Sequence, residues 1–364
     1  MLKRVSLVGV VAMASLNAVP AVAQAQGESG WRIASSSPDF PRDDFSDIAV
    51  TGPDDAWAVG SAPCCEIEQQ KLSHWDGTNW RPVTPPAPPE GTRYAPLTHV
   101  GASSPSNVWA FGMGADDDAF VHHWNGTAWH TSAFERGLRV QDTAVLGPRS
   151  TWFVGARWTG TGEEPIAQHH NGQGWSRTVL PGTPQAMSAS GNGNVWAIGS
   201  AESGGVISMR WTGSSWKSLP LPKPALEPGV NAYPGDILAL GPRNVWATAV
   251  LGKGEGVWPG SVLYHWNGMR WRQVKVDAPQ DSLVRLASDG RGGLWIVSAG
   301  IHPSAYLLHY SRGRLTRQAA PIGTGTYASI EAISRVPGTR SLMAAGHVGN
   351  EEGWAATVYR YDPA

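Results

Sequence analysis

Ala56-Trp57-Ala58-Val59-Gly60 recurs as Val108-Trp109-Ala110-Phe111-Gly112, Thr151-Trp152-Phe153-Val154-Gly155 and Val195-Trp196-Ala197-Ile198-Gly199. Looser copies follow at Val245-Trp246-Ala247, Leu294-Trp295-Ile296 and Leu342-Met343-Ala344. From Trp57 to Met343 the copies lie 52, 43, 44, 50, 49 and 48 residues apart. A period of about 48 falls in the range of four-stranded propeller blades.

A second motif trails each of the first five copies. It reads His74-Trp75-Asp76-Gly77-Thr78-Asn79-Trp80, His123-Trp124-Asn125-Gly126-Thr127-Ala128-Trp129, His169-His170-Asn171-Gly172-Gln173-Gly174-Trp175, Arg210-Trp211-Thr212-Gly213-Ser214-Ser215-Trp216 and His265-Trp266-Asn267-Gly268-Met269-Arg270-Trp271. Asx-Gly between aromatic and β-branched runs predicts a hairpin, because both central residues of a type I′ turn take positive φ. His309-Tyr310-Ser311-Arg312-Gly313 is a drifted sixth copy. Each unit opens on a short apolar run such as Ile48-Ala49-Val50 or Ala144-Val145-Leu146. Four antiparallel strands per unit follow, and the chain reads as an all-β, seven-bladed β-propeller. The seventh unit ends at Tyr359-Arg360-Tyr361-Asp362 without its last strand, while Gly30-Trp31-Arg32-Ile33 matches Asn79-Trp80-Arg81-Pro82. The N-terminal strand is therefore expected to complete the last blade, closing the ring and removing open sheet edges.

The 364 residues include 19 Trp, 44 Gly and 28 Pro, with 16% charged residues and a net charge of −1. The 28 Lys and Arg are spread along the chain, which argues against a nucleic-acid partner. The apolar content argues against disorder. Residues 1–25 read as a signal peptide: Lys3 and Arg4, an apolar run from Val5 to about Leu16, and Ala21-Val22-Ala23 or Ala23-Gln24-Ala25 as the cleavage pattern. Residues 26–364 are then a single secreted propeller domain, expected as a monomer, with no later run able to span a membrane. Cys64 and Cys65 are adjacent in a chain sent where disulfides persist. They are two free thiols, an intermolecular link, or a vicinal disulfide forming a rigid knob on a ligand-facing loop.

Sixteen of the nineteen tryptophans fall on repeat positions, where a wedge-shaped blade needs large side chains against its neighbours. His74, His123, His169, His265 and His309 belong to different blades and read as hydrogen-bonded structural residues. Trp158, Trp258 and Trp354 obey no repeat rule. They lie between the second and third strands of their units, in loops that share one face with the connections between blades. That face is also expected to carry Glu163, Glu164, His302, Glu351 and Glu352, with Arg93, Tyr94, Glu135, Arg136, Tyr233 and Tyr327. Aromatic rings beside carboxylates suit a sugar, whose apolar side meets the ring while polar groups orient its hydroxyls. Trp158, Trp258, Trp354, Tyr94, Arg93, Tyr233, Glu163 and Glu351 are the candidate ligand-binding residues. Asp116-Asp117-Asp118 is a possible Ca²⁺ loop but lacks the spaced ligands and fixed glycine of an EF-hand. No other cofactor or metal is expected. Gly-x-Ser-x-Gly, His-Glu-x-x-His and Cys-x-x-Cys are absent, so no catalytic residue is assigned and the reading leans away from an enzyme.

Through these two motifs, residues 30–364 resemble the secreted, tryptophan-rich β-propeller repeat proteins of bacteria, particularly actinobacteria, and more broadly kelch-like and propeller-lectin folds. The glycine pair of kelch units and the aspartate box of sialidases are not kept. The resemblance implies a non-catalytic binding module for a carbohydrate or cell-envelope ligand. An interaction scaffold, such as the recognition subunit of a secreted assembly or toxin, is the alternative. A polysaccharide hydrolase or lyase is a further one.

Overall fold

The computed structural model describes residues 30–39, 41–64, 67–92, 95–114, 118–254, 257, 259–276, 281–300 and 305–363. The leader, residues 1–25, and the Cys64–Cys65 bond lie outside the described residues. The first repeat unit folds into Asp44–Gly52, Asp55–Cys64, Ile67–Trp75 and Trp80–Pro82, hydrogen-bonded in that order as one antiparallel sheet. Six more four-stranded sheets follow, and the inner strand of each packs on the inner strand of the next. The ring of seven blades is the expected propeller. In the seventh, Tyr327–Arg335, Leu342–Gly349 and Trp354–Asp362 are joined by the N-terminal Gly30–Ser36, with Trp31 opposite Tyr361. Arg32 pairs with Asp362 at 2.9 Å, and the buried Asp43 accepts the Ala356 N–H at 2.8 Å while pairing with Lys71, so polar contacts also tie the closure. No helix among the described residues is long and apolar enough to cross a membrane.

The outer hairpins differ from expectation in an instructive way. Trp75 pairs with Trp80, leaving a four-residue loop in which Gly77 alone has positive φ. The Asp76 carboxylate accepts the N–H of Thr78 and of Asn79 at 2.9 and 2.8 Å, so the Asx side chain caps the turn and needs no left-handed backbone of its own. Asn125, Asn171 and Asn267 do the same. The drifted sixth copy is the one with two central residues at positive φ, Arg312 and Gly313.

The repeat tryptophans form the seams. The second-strand indole of one blade meets the outer-strand indole of the next nearly edge-on: Trp57 with Trp129, Trp109 with Trp175, Trp152 with Trp216, Trp196 with Trp271 and Trp295 with Trp31, at 5.5–6.0 Å and 85–87°. This is the geometry the aromatic quadrupole favours. Between blades 5 and 6 the outer-strand position is Leu315, and Tyr310 of the third strand meets Trp246 at 5.7 Å. Each repeat histidine lies against the tryptophan of its own blade, His123 on Trp109 at 3.9 Å and His169 on Trp152 at 4.0 Å for example. Their Nε2 atoms are bonded to Asp55, Asn107, Ser150, Asn244 or Asp289.

Candidate functional site

The inner strands line a central channel, and each breaks its ladder at the same place. Register shifts fall between Phe45 and Asp47, Leu97 and His99, Val140 and Asp142, Pro184 and Ala186, Pro234 and Ile237, Leu283 and Arg285, and Ile330 and Ala332. A bulge bends the strand and re-aims side chains. It also explains the glycine that ends the repeat motif: a Cβ on Gly60, Gly155, Gly199 or Gly346 would sit 1.9–2.1 Å from an inner-strand carbonyl oxygen.

The bulges turn polar groups toward a cavity of about 220 Å³, lined among others by Asp47, His99, Asp142, Asp236, Arg285 and Glu331. Three carboxylates clamp neighbouring blades. Asp47 accepts the N–H of Ile48 and of Val100, both at 2.8 Å; Asp142 accepts those of Thr143 and Met187, both at 2.7 Å; Asp236 accepts those of Ile237 and Leu286, both at 2.7 Å. Burial nonetheless outweighs these bonds. It pushes Asp47 and Asp236 up to about 6, and Asp142, which also feels the charges of Asp236 and Asp47, up to about 8. Burial drives His99 down to about 4, helped by the Arg285 cation. These channel residues escaped the sequence reading. The available signal was one Asp at equal register inside otherwise strand-like runs, in Phe45-Ser46-Asp47-Ile48, Val140-Gln141-Asp142-Thr143 and Pro234-Gly235-Asp236-Ile237.

The loop face gathers only part of the predicted set. Trp158 ends the second strand of blade 3, Ser150–Trp158, and is 56% exposed. Its N–H donates to the Gly137 carbonyl at 2.8 Å, so the exposed ring stands on a fixed backbone. Trp152 and Val154 pack toward blade 4 and Phe153 toward blade 2, so strand alternation puts Trp158 on the blade 4 side. Glu163 lies directly opposite Trp158 in the ladder and pairs with Arg139. Glu164 and Glu135 share Arg157, and Glu135 also pairs with Arg177; Arg136 lies 3.9 Å from Asp118.

Trp354 is half-buried in blade 7, its ring 6.4 Å from His347, which Tyr327 meets edge-on at 6.0 Å. Glu351 and Glu352 occupy the exposed turn beside it. Blades 1 and 2 stand between blades 7 and 3, so Trp354 and Trp158 do not form one platform. Tyr233, 48% exposed, belongs to the inner strand of blade 5. Arg93, Tyr94, Asp116, Asp117, Trp258 and His302 lie outside the described residues, and the calcium expectation with them. Asp118, which is described, accepts the Gly137 N–H at 3.0 Å.

A further pattern was not foreseen. Of the six large hydrophobic side chains exposed among the described residues, five lie toward the loop face of blades 3 to 5: Trp158, Val179, Leu226, Tyr233 and Val257. The sixth, Met269, is in an outer hairpin loop.

No family model and no curated protein matches the chain. Solved structures similar to it include a chain of a mitotic checkpoint complex, 13% identical over 98% of this chain and 99% of that one, with a TM-score of 0.59. YCF48 bound to D1 peptide is 13% identical over 93% and 99%, with a TM-score of 0.57. The β-propeller domain of the Trilobed protease from Pyrococcus furiosus is 9% identical over 89% and 96%, with a TM-score of 0.55. At these identities the likeness is one of fold.

Proposed function

We propose that the protein is an exported, non-catalytic binding module whose loop face over blades 3 to 5 takes a polypeptide partner. The carrying observation is the confinement of five exposed large hydrophobic side chains to that sector. Scattered apolar residues need no explanation, but a concentrated set marks an interaction surface. Val179, Leu226 and Val257 are aliphatic and offer a sugar neither a ring face nor a polar group. Protein interfaces, in contrast, combine Trp, Tyr and Arg anchors with apolar contacts and a polar rim. Arg139, Arg157 and Arg177, interlocked with Glu135, Glu163 and Glu164, supply such a rim. That YCF48 is solved with a bound peptide is in keeping with this reading.

A carbohydrate or cell-envelope ligand is the second reading, favoured by one observation: Trp158 is exposed with Glu163 directly across the ladder. Peptides selected by display against the wild-type propeller, and a glycan array, separate the two. Selected peptides are expected to lose at least about 30-fold in affinity on Trp158→Ala, the effect of a hot spot of about 2 kcal/mol. Stability should change by no more than about 0.5 kcal/mol, because the ring is at the surface. Peptides that bind both proteins equally defeat the first reading; glycan binding lost on Trp158→Ala establishes the second.

A further inference from the structure

Six blades carry tryptophan in the middle of their second strand, and blade 7 carries Met343. In blade 4 this tryptophan, Trp196, pairs across the ladder with Arg210, whose guanidinium lies 5.3 Å from the indole centroid. Its edge contact with Trp271 of blade 5 completes the enclosure. Blade 7 keeps every wall of that slot. Arg360 pairs with Met343 as Arg210 does with Trp196, and Trp75 and Trp80 of blade 1 pack against the cluster that holds Met343. The central residue is the smaller one, and a cavity of about 340 Å³ opens there, lined by Met343, Arg360, Trp75, Trp80, Thr78 and Asn79 together with residues of the closing strand.

We propose that this seam between blades 7 and 1 is a binding site for a planar aromatic ring, carried by a small aromatic molecule or by an aromatic side chain of a peptide. The fold itself supplies the template, since it fills the corresponding slot with an indole six times. A ring entering here meets the edge or face of Trp80 and Trp75 and a guanidinium able to lie over its π-face. Arg360 is positioned for that role: it already lies 5.8 Å from the Trp75 centroid, and Asp362 holds its Nε at 3.0 Å. Met343 supplies a polarizable thioether floor that adapts to an inserted ring. Asn79, exposed at the lip with its Nδ2 donating to Thr78, presents its amide oxygen to a polar substituent. The volume falls within the range of small-molecule pockets, about 300–1,000 Å³. The site is remote from blades 3 to 5, so it stands or falls independently of the loop-face proposal.

The test uses the full propeller with ¹³C-labelled methionine methyls, titrated separately with indole and with the tripeptide Gly-Trp-Gly. One methyl resonance, the one missing from Met343→Leu, is expected to move upfield and saturate, because a ring stacked over the thioether shields it. Met343→Trp places the repeat's own residue in the slot and should weaken indole binding at least about tenfold by calorimetry. A shift with both probes assigns the site to aromatic side chains as well; a shift with indole alone assigns it to small molecules. If neither probe moves the Met343 methyl, the proposal fails. It also fails if indole binds Met343→Trp as tightly as wild type. Should Met343→Trp not fold, the methyl titration of the wild type decides alone.

Discussion

Two concentric rings are built from the same seven-fold repetition, and they obey opposite chemistry. The outer one is a ring of indoles at the blade seams, apolar, buried and joined edge to face. The inner one is a ring of bulged polar residues whose carboxylates bridge from blade to blade through backbone N–H groups. The outer ring derives its stability from area removed from water, a contribution insensitive to pH. The inner ring satisfies backbone donors with groups that burial discourages from ionising. Indole burial and carboxyl titration are thus assigned to different radii of one fold.

The largest effect that would break this division is expected at the outer ring. Trp196 is fully buried, donates its indole N–H to Asn194 at 2.8 Å and meets Trp271 edge-on. Trp196→Ala should destabilise the propeller by about 3–5 kcal/mol in chemical denaturation, the range for a large core aromatic. The loss should be the same at pH 5.5 and pH 8. A loss that depended on pH would mean that the two rings are coupled.

A middle-sized effect is expected at the inner ring. Asp142→Ala leaves the N–H groups of Thr143 and Met187 without their acceptor, one in its own blade and one in the next. Unmade bonds of this kind cost about 1–3 kcal/mol. Hydrogen exchange should rise first at Met187, across the seam, relative to Leu286, which Asp236 still holds. Uniform exchange changes across the ring would show that the carboxylate is not a local clamp.

The outer ring was legible from sequence because tryptophan is rare and its spacing repeats. Trp57, Trp109, Trp152 and Trp196 announce the blade before any strand is assigned. The inner ring was not, because its signal is one polar residue at a bulge, and a bulge leaves no mark on strand alternation until the partner strand is known. Spacing therefore does not set Asp47, Asp142 and Asp236 apart from other polar positions of their strands. The loop face was legible in part. Being off the repeat singled out Trp158 and Trp354 equally, yet one is exposed and the other half-buried beside His347. Exposure depends on neighbours distant in sequence, which spacing alone does not report. The aliphatic members of the exposed sector, Val179, Leu226 and Val257, carry no sequence signal at all.

The smallest effect is the pH response of the wild type, and its sign distinguishes the channel carboxylates from the histidines. Asp142 rises from 3.8 to about 8 on folding. A raised carboxyl contributes stability that is complete below its unfolded value and is lost as pH climbs through the folded one. Asp47 and Asp236 act in the same direction but only up to about 6. His99, His122 and His123, driven by burial from 6.5 down to about 4, act oppositely, since the folded state then loses stability as pH falls from 6.5. Below about pH 7 the two sets offset one another; above it, of these groups Asp142 dominates the titration. Stability should therefore decline by about 1 kcal/mol between about pH 7 and about pH 8.5, at most 1.36 kcal/mol per pH unit for one group. Asp142→Asn, which cannot ionise, should flatten that decline even though it lowers stability overall. A wild-type midpoint that rose across this interval, or an unchanged slope in Asp142→Asn, would place the titrating group elsewhere than the channel wall.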